Sequence, residues 1–173
     1  RIGNGNNQCV FSFYATKPLT TGEGGMITTN HGDKVERIRM MRLHGITLDV
    51  WDRYQSTVPK WFYEVAAPGF KYNMPEVAAA IGLQQLKKAD RFHHRRQAIA
   101  RCYNDAFEDL LVINRPKILP GAVHSWHLYI ISINDSKIDR NWFIDEMAHQ
   151  GIGTSVHFIP LHIHPYYRDR YGF

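Results

Sequence analysis

Two short apolar runs near the start of the chain predict two strands joined by a turn. Residues 9–14 are β-branched and aromatic, which is typical of a strand that runs into a polar loop. A glycine-rich turn at 20–25 precedes a second predicted strand at 26–29. Apolar positions three apart then predict a helix from an Asp33 cap to about Leu43. The order is therefore strand, loop, strand, helix.

A longer helical pattern occupies the middle of the chain. Asn73 is a suitable cap, and Pro75 is tolerated in a first turn, so we expect a helix that reaches about Leu111 and bends or breaks near His93. Its apolar positions include Val77, Ile81, Leu83, Leu86, Ala89 and Phe92. The irregular, tryptophan-containing stretch at 46–69 before it predicts a binding or interface loop.

The last third of the chain mixes strand and helix patterns. Two prolines in 113–122 indicate a connector, and a strand is expected at 126–133. Asp139 is expected to cap a helix that reaches about Gln150, with a further strand at 152–158. This pattern predicts a βαβ-like or α+β layer in a second, smaller domain, with the boundary near 112–122.

Composition indicates a globular chain. The 173 residues are 44% apolar and 21% charged, which excludes the disordered and low-complexity classes. No apolar run approaches the ~20 residues of a membrane span, and no signal-peptide pattern is visible, so we expect a cytoplasmic protein without a membrane partner. The first residue is Arg1, which we interpret as a processed or truncated product. Cys9 and Cys102 are expected to be reduced, structural thiols.

The net positive charge of the chain is compatible with several kinds of binding partner. Lysine and arginine exceed aspartate and glutamate to give a formal net charge of +5. The densest basic stretch, residues 87–96, is interrupted by Asp90 and lies in a helical pattern, which favours a solvated helix face over a nucleic-acid site. An anionic small molecule such as a phosphorylated cofactor explains the charge equally well. The charge alone does not choose between them.

Lys17 is the first candidate for chemistry. It follows a predicted strand and precedes a glycine-rich turn, where its amine could face a ligand at the sheet edge. A single loop lysine is most often simply solvated. The surrounding sequence distinguishes Lys17 from such a residue.

Five matches in order, the first made of the two strings at 12–17 and 20–25, resemble the DegT/StrS family of sugar aminotransferases, which use pyridoxal 5'-phosphate (PLP) on the type I aminotransferase fold. These segments span essentially the whole chain, so the resemblance is far more specific than one motif. The segments are SFYATK at 12–17, TTGEGG at 20–25, RLHG at 42–45, PGFKYNMPEVAAAIG at 68–82, SWHLY at 125–129 and GIGTSVHFIPLH at 151–162.

The resemblance implies roles for individual residues. Lys17 would form the Schiff base with PLP and then act as the general acid–base, while Ser12 would donate its hydroxyl to the phosphate. Asn73 would reach the phosphate of the neighbouring subunit's cofactor, which implies a homodimer with shared active sites. From the residues alone, Ser12 could equally be satisfied by backbone and Asn73 could be an ordinary helix cap.

Histidines near the end of the chain raise the question of a metal. His157, His162 and His164 have no cysteine or close carboxylate beside them, which disfavours a metal site. The resemblance places this segment at the substrate mouth, and His157 is the candidate sugar contact. Trp126 is expected in the core, and Tyr166 and Tyr167 are expected to pack rather than bind a ligand.

The resemblance also implies the fold class and the reaction. The chain is expected to be α/β: part of the type I fold, with residues 1–112 as the end of the PLP-binding large domain plus a long helix and 113–173 as an incomplete small α+β domain. The family's aspartate, stacking aromatic and phosphate cup would lie upstream of residue 1. We therefore expect an aminotransferase that acts on a nucleotide-linked keto sugar in polysaccharide biosynthesis, with glutamate as the amino donor. A truncated non-catalytic or regulatory module is the alternative, and nucleic-acid binding is a third.

Overall fold

A computed structural model describes residues 5–47 and 62–172 and separates them into two compact units. The first unit contains the described residues up to Ala100 together with His124–His127. The second contains Arg101–Val123 and the residues from Leu128 onward. Most of the predicted loop at 46–69 lies outside the described residues.

A β-hairpin opens the first unit. Strand β1 (Cys9–Ser12) pairs antiparallel with strand β2 (Gly25–Thr28), with Cys9 opposite Thr28 and Ser12 opposite Gly25. Both predicted strands are therefore present, within two residues of the predicted bounds. Beyond the paired strands, the Phe13 N–H donates to the Gly24 carbonyl at 2.8 Å, so the hairpin stays closed as it enters the loop.

The helices between residues 32 and 106 differ from the predicted ones at their ends. They are α1 (Gly32–Met41), α2 (Glu76–Leu86) and α3 (Ala89–Ala106). Asp33 does not cap α1, because His31 holds the cap position and Asp33 lies in the first turn, where a negative charge suits the helix dipole. Asn73 does not cap α2 either. Pro75 holds that position in extended conformation, with φ −66° and ψ 149°.

The predicted long helix is interrupted earlier than expected. The helical residues stop at Leu86 and resume at Ala89, whereas His93 lies inside α3. The predicted break near His93 is therefore wrong, as is the predicted end near Leu111, because α3 ends at Ala106. Asp90 lies in the first turn of α3, a position that favours a new helix start.

The second unit has less strand than expected. Strands β3 (Ile113–Asn114) and β4 (Ser132–Ile133) form a short antiparallel pair, followed by helix α4 (Arg140–His149), a 3₁₀ turn at Leu161–Ile163 and helix α5 (Pro165–Tyr171). The predicted strand at 126–133 is reduced to its last two residues. Trp126 has a φ of 51°, in the left-handed region that a strand does not contain.

The predicted strand at 152–158 is also wrong, because every one of these residues is exposed and none is paired in a ladder within the described structure. The described residues therefore form no βαβ arrangement, although helix and strand do mix as predicted. The start of α4 is confirmed: the Asp139 side chain accepts a hydrogen bond from the Trp142 N–H at 2.9 Å. Gly151 follows the helix with a φ of 74°, as expected for a C-terminal glycine.

Few side chains of the described residues are buried. Ala100 and Trp126 are the buried apolar residues of the described chain, and Thr21 is the buried polar one. The prediction that Trp126 lies in the core is confirmed. The Tyr166 and Tyr167 rings contact one another edge to face at 5.2 Å. Over the described ranges, no helix is both long enough and apolar enough to cross a membrane.

Candidate active site

Lys17 lies in the loop that joins the two strands of the hairpin, and its side chain is half-buried. Its backbone N–H donates to the Tyr14 carbonyl at 2.9 Å, and the Tyr14 N–H donates in turn to the Ser12 hydroxyl at 3.3 Å. Ser12 and Lys17 are therefore connected through a short tight turn. Ser12 is exposed, so its hydroxyl remains accessible.

Two threonines hold this loop against the end of the hairpin. The Thr20 hydroxyl donates to the Phe13 carbonyl at 3.1 Å and accepts from the Gly22 N–H at 3.0 Å. Thr21 is buried, and its hydroxyl donates to the Glu23 carbonyl at 2.6 Å. Because these bonds are local and partly buried, they fix the backbone on which Lys17 is carried. Neither threonine was assigned a role from the sequence.

Gly24 allows the loop to pack against the segment that contains Asn73. A Cβ atom on Gly24 would lie 2.5 Å from Thr21 Oγ1 and 3.1 Å from the Met74 methyl carbon, and the glycine has a φ of +152°. On the other side of Thr21, a Cβ on Gly82 of α2 would lie 3.0 Å from the threonine methyl group. The glycines thus permit close packing between the lysine loop, the middle of α2 and the residue next to Asn73.

The end of α1 is hydrogen-bonded to the segment that leads to Asn73. Three backbone hydrogen bonds connect them: Phe70 N–H to the Met41 carbonyl at 2.7 Å, Tyr72 N–H to the Arg42 carbonyl at 2.8 Å, and His44 N–H to the Phe70 carbonyl at 2.9 Å. We call this pairing of residues 41–47 with 64–72 the backbone clamp. It joins two of the segments that carry the family resemblance.

A pair of glycines makes the backbone clamp possible. A Cβ on Gly45 would lie 1.8 Å from the Ala67 carbonyl oxygen, and one on Gly69 would lie 2.0 Å from the Gly45 nitrogen. No side chain fits at either position. The sequence contains both glycines, but a contact between positions this far apart could not be read from local pattern.

Asn73 lies just beyond the clamp and is half-buried. Its side-chain oxygen accepts a hydrogen bond from the Lys71 ammonium. Phe70 and Tyr72 alternate with these two residues along the chain, and their rings stack at 4.9 Å with an interplanar angle of 3°. The sequence interpretation missed Lys71. The i, i+2 spacing in an extended segment would have indicated that Lys71 and Asn73 share a face.

His157 belongs to the second unit, apart from the three other predicted site residues, which all lie in the first. It is exposed, and its ring centre is 3.7 Å from that of Phe158. No cluster of three potential metal ligands occurs in the part of the chain that the structure describes. The role of His157 as a sugar contact stays a prediction.

Comparison with known proteins gives a consistent result. A family model described as the DegT/DnrJ/EryC1/StrS aminotransferase family matches residues 1–173. The chain is 50% identical to the uncharacterized protein MJ1066 of Methanocaldococcus jannaschii over 100% of its own length and 45% of the relative's. It is 43% identical to the spore coat polysaccharide biosynthesis protein SpsC of Bacillus subtilis, covering 99% of this chain and 45% of SpsC. The chain thus spans about half the length of these curated relatives.

Solved structures give the same picture of the fold. The chain superimposes with a TM-score of 0.83 on Spr1654, a Streptococcus pneumoniae protein assigned as a sugar aminotransferase and solved in its PMP form, at 31% identity over 96% of this chain and 43% of that one. It superimposes equally well, with a TM-score of 0.83, on PseC of Helicobacter pylori, an aminotransferase of pseudoaminic acid biosynthesis, at 28% identity over 96% and 43% of the two chains.

Proposed function

This chain belongs to the DegT/DnrJ/EryC1/StrS aminotransferase family, and we propose that it carries the cofactor lysine and part of the phosphate site of a PLP-dependent sugar aminotransferase. The family is PLP-dependent, and its solved members resemble this chain in fold. The observation that supports the proposal most directly is the packing of the Lys17 loop against the Asn73 segment through Gly24.

The chemistry of the donors fits the cofactor. PLP presents an aldehyde, which requires an amine, and a phosphate, which requires hydrogen-bond donors. Lys17 provides the amine, and Ser12 and Asn73 provide a hydroxyl and an amide. Gly24 lies close to the Met74 side chain, and a Cβ atom at this position would clash with Thr21 Oγ1 at 2.5 Å. We propose that residues 1–112 hold this part of the cofactor site and that 113–173 form part of the small domain.

Each residue then has a distinct role. When bound, the cofactor supplies an electron sink for the α-carbon of the substrate. Lys17 holds the cofactor through its Nζ atom and, once released, carries a proton to and from the substrate as a general acid–base. Ser12 and Asn73 orient the phosphate with charge-assisted hydrogen bonds. His157 contacts the sugar.

The proposed substrates are a nucleotide-linked keto sugar and glutamate as the amino donor. Support for a sugar comes from the relatives, since SpsC is described as a spore coat polysaccharide biosynthesis protein and PseC as an enzyme of pseudoaminic acid biosynthesis. The basic balance of the chain, +5, is compatible with an anionic substrate.

A non-catalytic or regulatory module of the same family is the second candidate. Binding of PLP at Lys17 without turnover is the result that this alternative predicts.

Chemical labelling tests the role of Lys17. The purified chain is incubated with PLP, reduced with borohydride, digested with trypsin and mapped by mass spectrometry. Because trypsin does not cut before Pro18, Lys17 lies inside the peptide 2–34, in which it is the only internal lysine. We expect the label on this peptide, no label there in Lys17→Ala, and undiminished label in the control Lys34→Arg. Labelling of other lysines at the same level, or none at peptide 2–34, contradicts the assignment.

Mixed dimers test the role of Asn73. If Asn73 serves the neighbouring subunit, an Asn73→Ala chain should label poorly at low PLP but recover when it is mixed with a Lys17→Ala chain, which supplies an intact Asn73 to it. Loss of the Asn73 hydrogen bond should weaken cofactor binding by ~1.5–3 kcal/mol, which is about tenfold to a hundredfold in affinity. Native mass spectrometry verifies that the subunits exchange. Exchange without recovery would show that Asn73 does not act across a subunit boundary.

A further inference from the structure

Lys71 and Asn73 form a small polar pair beside the proposed phosphate site. They are two residues apart in an extended segment, so their side chains emerge on the same face. The Lys71 ammonium donates a hydrogen bond to the Asn73 side-chain oxygen. The stacked rings of Phe70 and Tyr72 occupy the alternate positions.

This contact decides which end of the amide is available. A carboxamide has one accepting end and one donating end. With its oxygen engaged by an ammonium group, the Asn73 amide has its Nδ2 hydrogens left to donate, and these are what a phosphate can use. The ammonium also adds positive charge next to that donor.

The backbone clamp holds both residues in place. Lys71 forms an isolated β-bridge with Leu43, and the Tyr72 N–H donates to the Arg42 carbonyl at 2.8 Å. The start of α2 follows directly after Pro75. Because the backbone is fixed on both sides of the pair, the contact between Lys71 and Asn73 costs side-chain freedom but little backbone freedom.

We propose that Lys71 is a positioning residue that orients the Asn73 amide for a phosphate group. The inference rests on the proposed role of Asn73 as a phosphate donor, and it adds that Asn73 depends on Lys71 to present the correct end. Lys71 acts through Asn73, and only secondarily through its own charge.

The first test uses inorganic phosphate and needs no cofactor. The side-chain amide resonances of Asn73 are followed by NMR during a phosphate titration of the full chain. In Lys71→Met the resonances should move before any phosphate is added, and the phosphate dissociation constant should rise about fivefold, as expected for a screened charge-assisted contact. Lys71→Arg should restore most of the affinity. Lys34→Met, which removes an exposed lysine on α1, should change neither quantity.

The second test compares PLP with pyridoxal, which has the aldehyde but no phosphate. Lys71→Met should weaken PLP binding about fivefold and leave pyridoxal binding unchanged, because the effect is directed at the phosphate. In an Asn73→Ala background the same change should cost less than twofold, since two residues that act as one unit are not additive.

Several outcomes would overturn the inference. Asn73 resonances that do not respond to Lys71→Met would show that the contact is absent in solution. Equal losses for PLP and pyridoxal, or full additivity with Asn73→Ala, would show that Lys71 acts elsewhere or on its own. The proposed function has a separate test. If borohydride leaves no label on Lys17, the proposed cofactor site is wrong. Phosphate binding at Asn73 that becomes weaker in Lys71→Met would still support the orienting role of Lys71.

Discussion

Replacing Gly45 by alanine should break the backbone clamp. Gly45 has a φ of +71°, and its added methyl group would lie 1.8 Å from the Ala67 carbonyl oxygen. Backbone atoms cannot rotate away as the end of a long side chain can. Residues 41–47 and 64–72 must therefore move apart, and the positions of Lys71 and Asn73 would change with them.

The expected cost follows from the contacts that are lost. A non-glycine residue in the left-handed region costs ~1 kcal/mol. Separation also breaks at least the hydrogen bonds from the His44 N–H to the Phe70 carbonyl and from the Ala66 N–H to the Gly45 carbonyl, both 2.9 Å long. At ~0.5–1.5 kcal/mol each, the total destabilisation is about 2–4 kcal/mol.

Gly22→Ala is the matched control. Gly22 lies in the same unit and has a φ of +83°, but a Cβ there would meet nothing within 4 Å. Gly22→Ala should therefore lose only the ~1 kcal/mol of stability that backbone strain costs. Urea unfolding gives the difference in stability, and amide hydrogen exchange at His44 and Ala66 should become faster in Gly45→Ala alone.

Equal destabilisation of the two variants would refute this reasoning, because it would show that backbone strain explains the whole effect and that the close approach of Gly45 to Ala67 does not exist in solution. Unchanged exchange at His44 and Ala66 in Gly45→Ala would refute it independently of any measurement of global stability.

Two further predictions concern the second unit. Asp139→Ala removes the hydrogen bond from the Trp142 N–H and should lower stability by ~1 kcal/mol, whereas Asp139→Asn should retain most of it; thermal unfolding of the two variants measures the difference. Burial raises the pKa of Tyr129 above its ordinary value of 10.0, opposed by Arg115. The folded chain therefore favours the neutral phenol. The resulting stabilisation of the folded state is complete below pH ~10 and is lost as the pH rises through the higher pKa of the folded state. Tyr129→Phe should remove that part of the alkaline loss of stability, and an unchanged alkaline profile would contradict it.

Local pattern was sufficient for several elements. The hairpin was predicted from two apolar runs around a glycine-rich turn, and the start and end of α4 from Asp139 and Gly151. These features depend on neighbours in the sequence: a strand pair with a short connection, a side chain that caps its own helix, and a glycine with positive φ. The segments around Lys17 and Asn73 could likewise be recognised from their residues.

Other predictions were wrong because local signals competed with one another. Asn73 has the chemistry of a cap, yet Pro75 occupies the cap position and leaves the amide for Lys71. The gap between α2 and α3 falls at two lysines, residues that are good helix formers, so no breaker marked it. Residues 152–158 alternate as a strand should, but a strand forms only where another edge is present to pair with it.

The sequence by itself determined the family, the lysine loop, the hairpin and the capped helix α4, because each rests on residues that are adjacent or nearly so. Only the tertiary structure decided that Thr21 is buried, that Gly24 lies against Met74 and that Gly45 meets Gly69. Those contacts join segments distant in the chain, and the space between two backbones is a property of their packing that no single stretch of sequence contains.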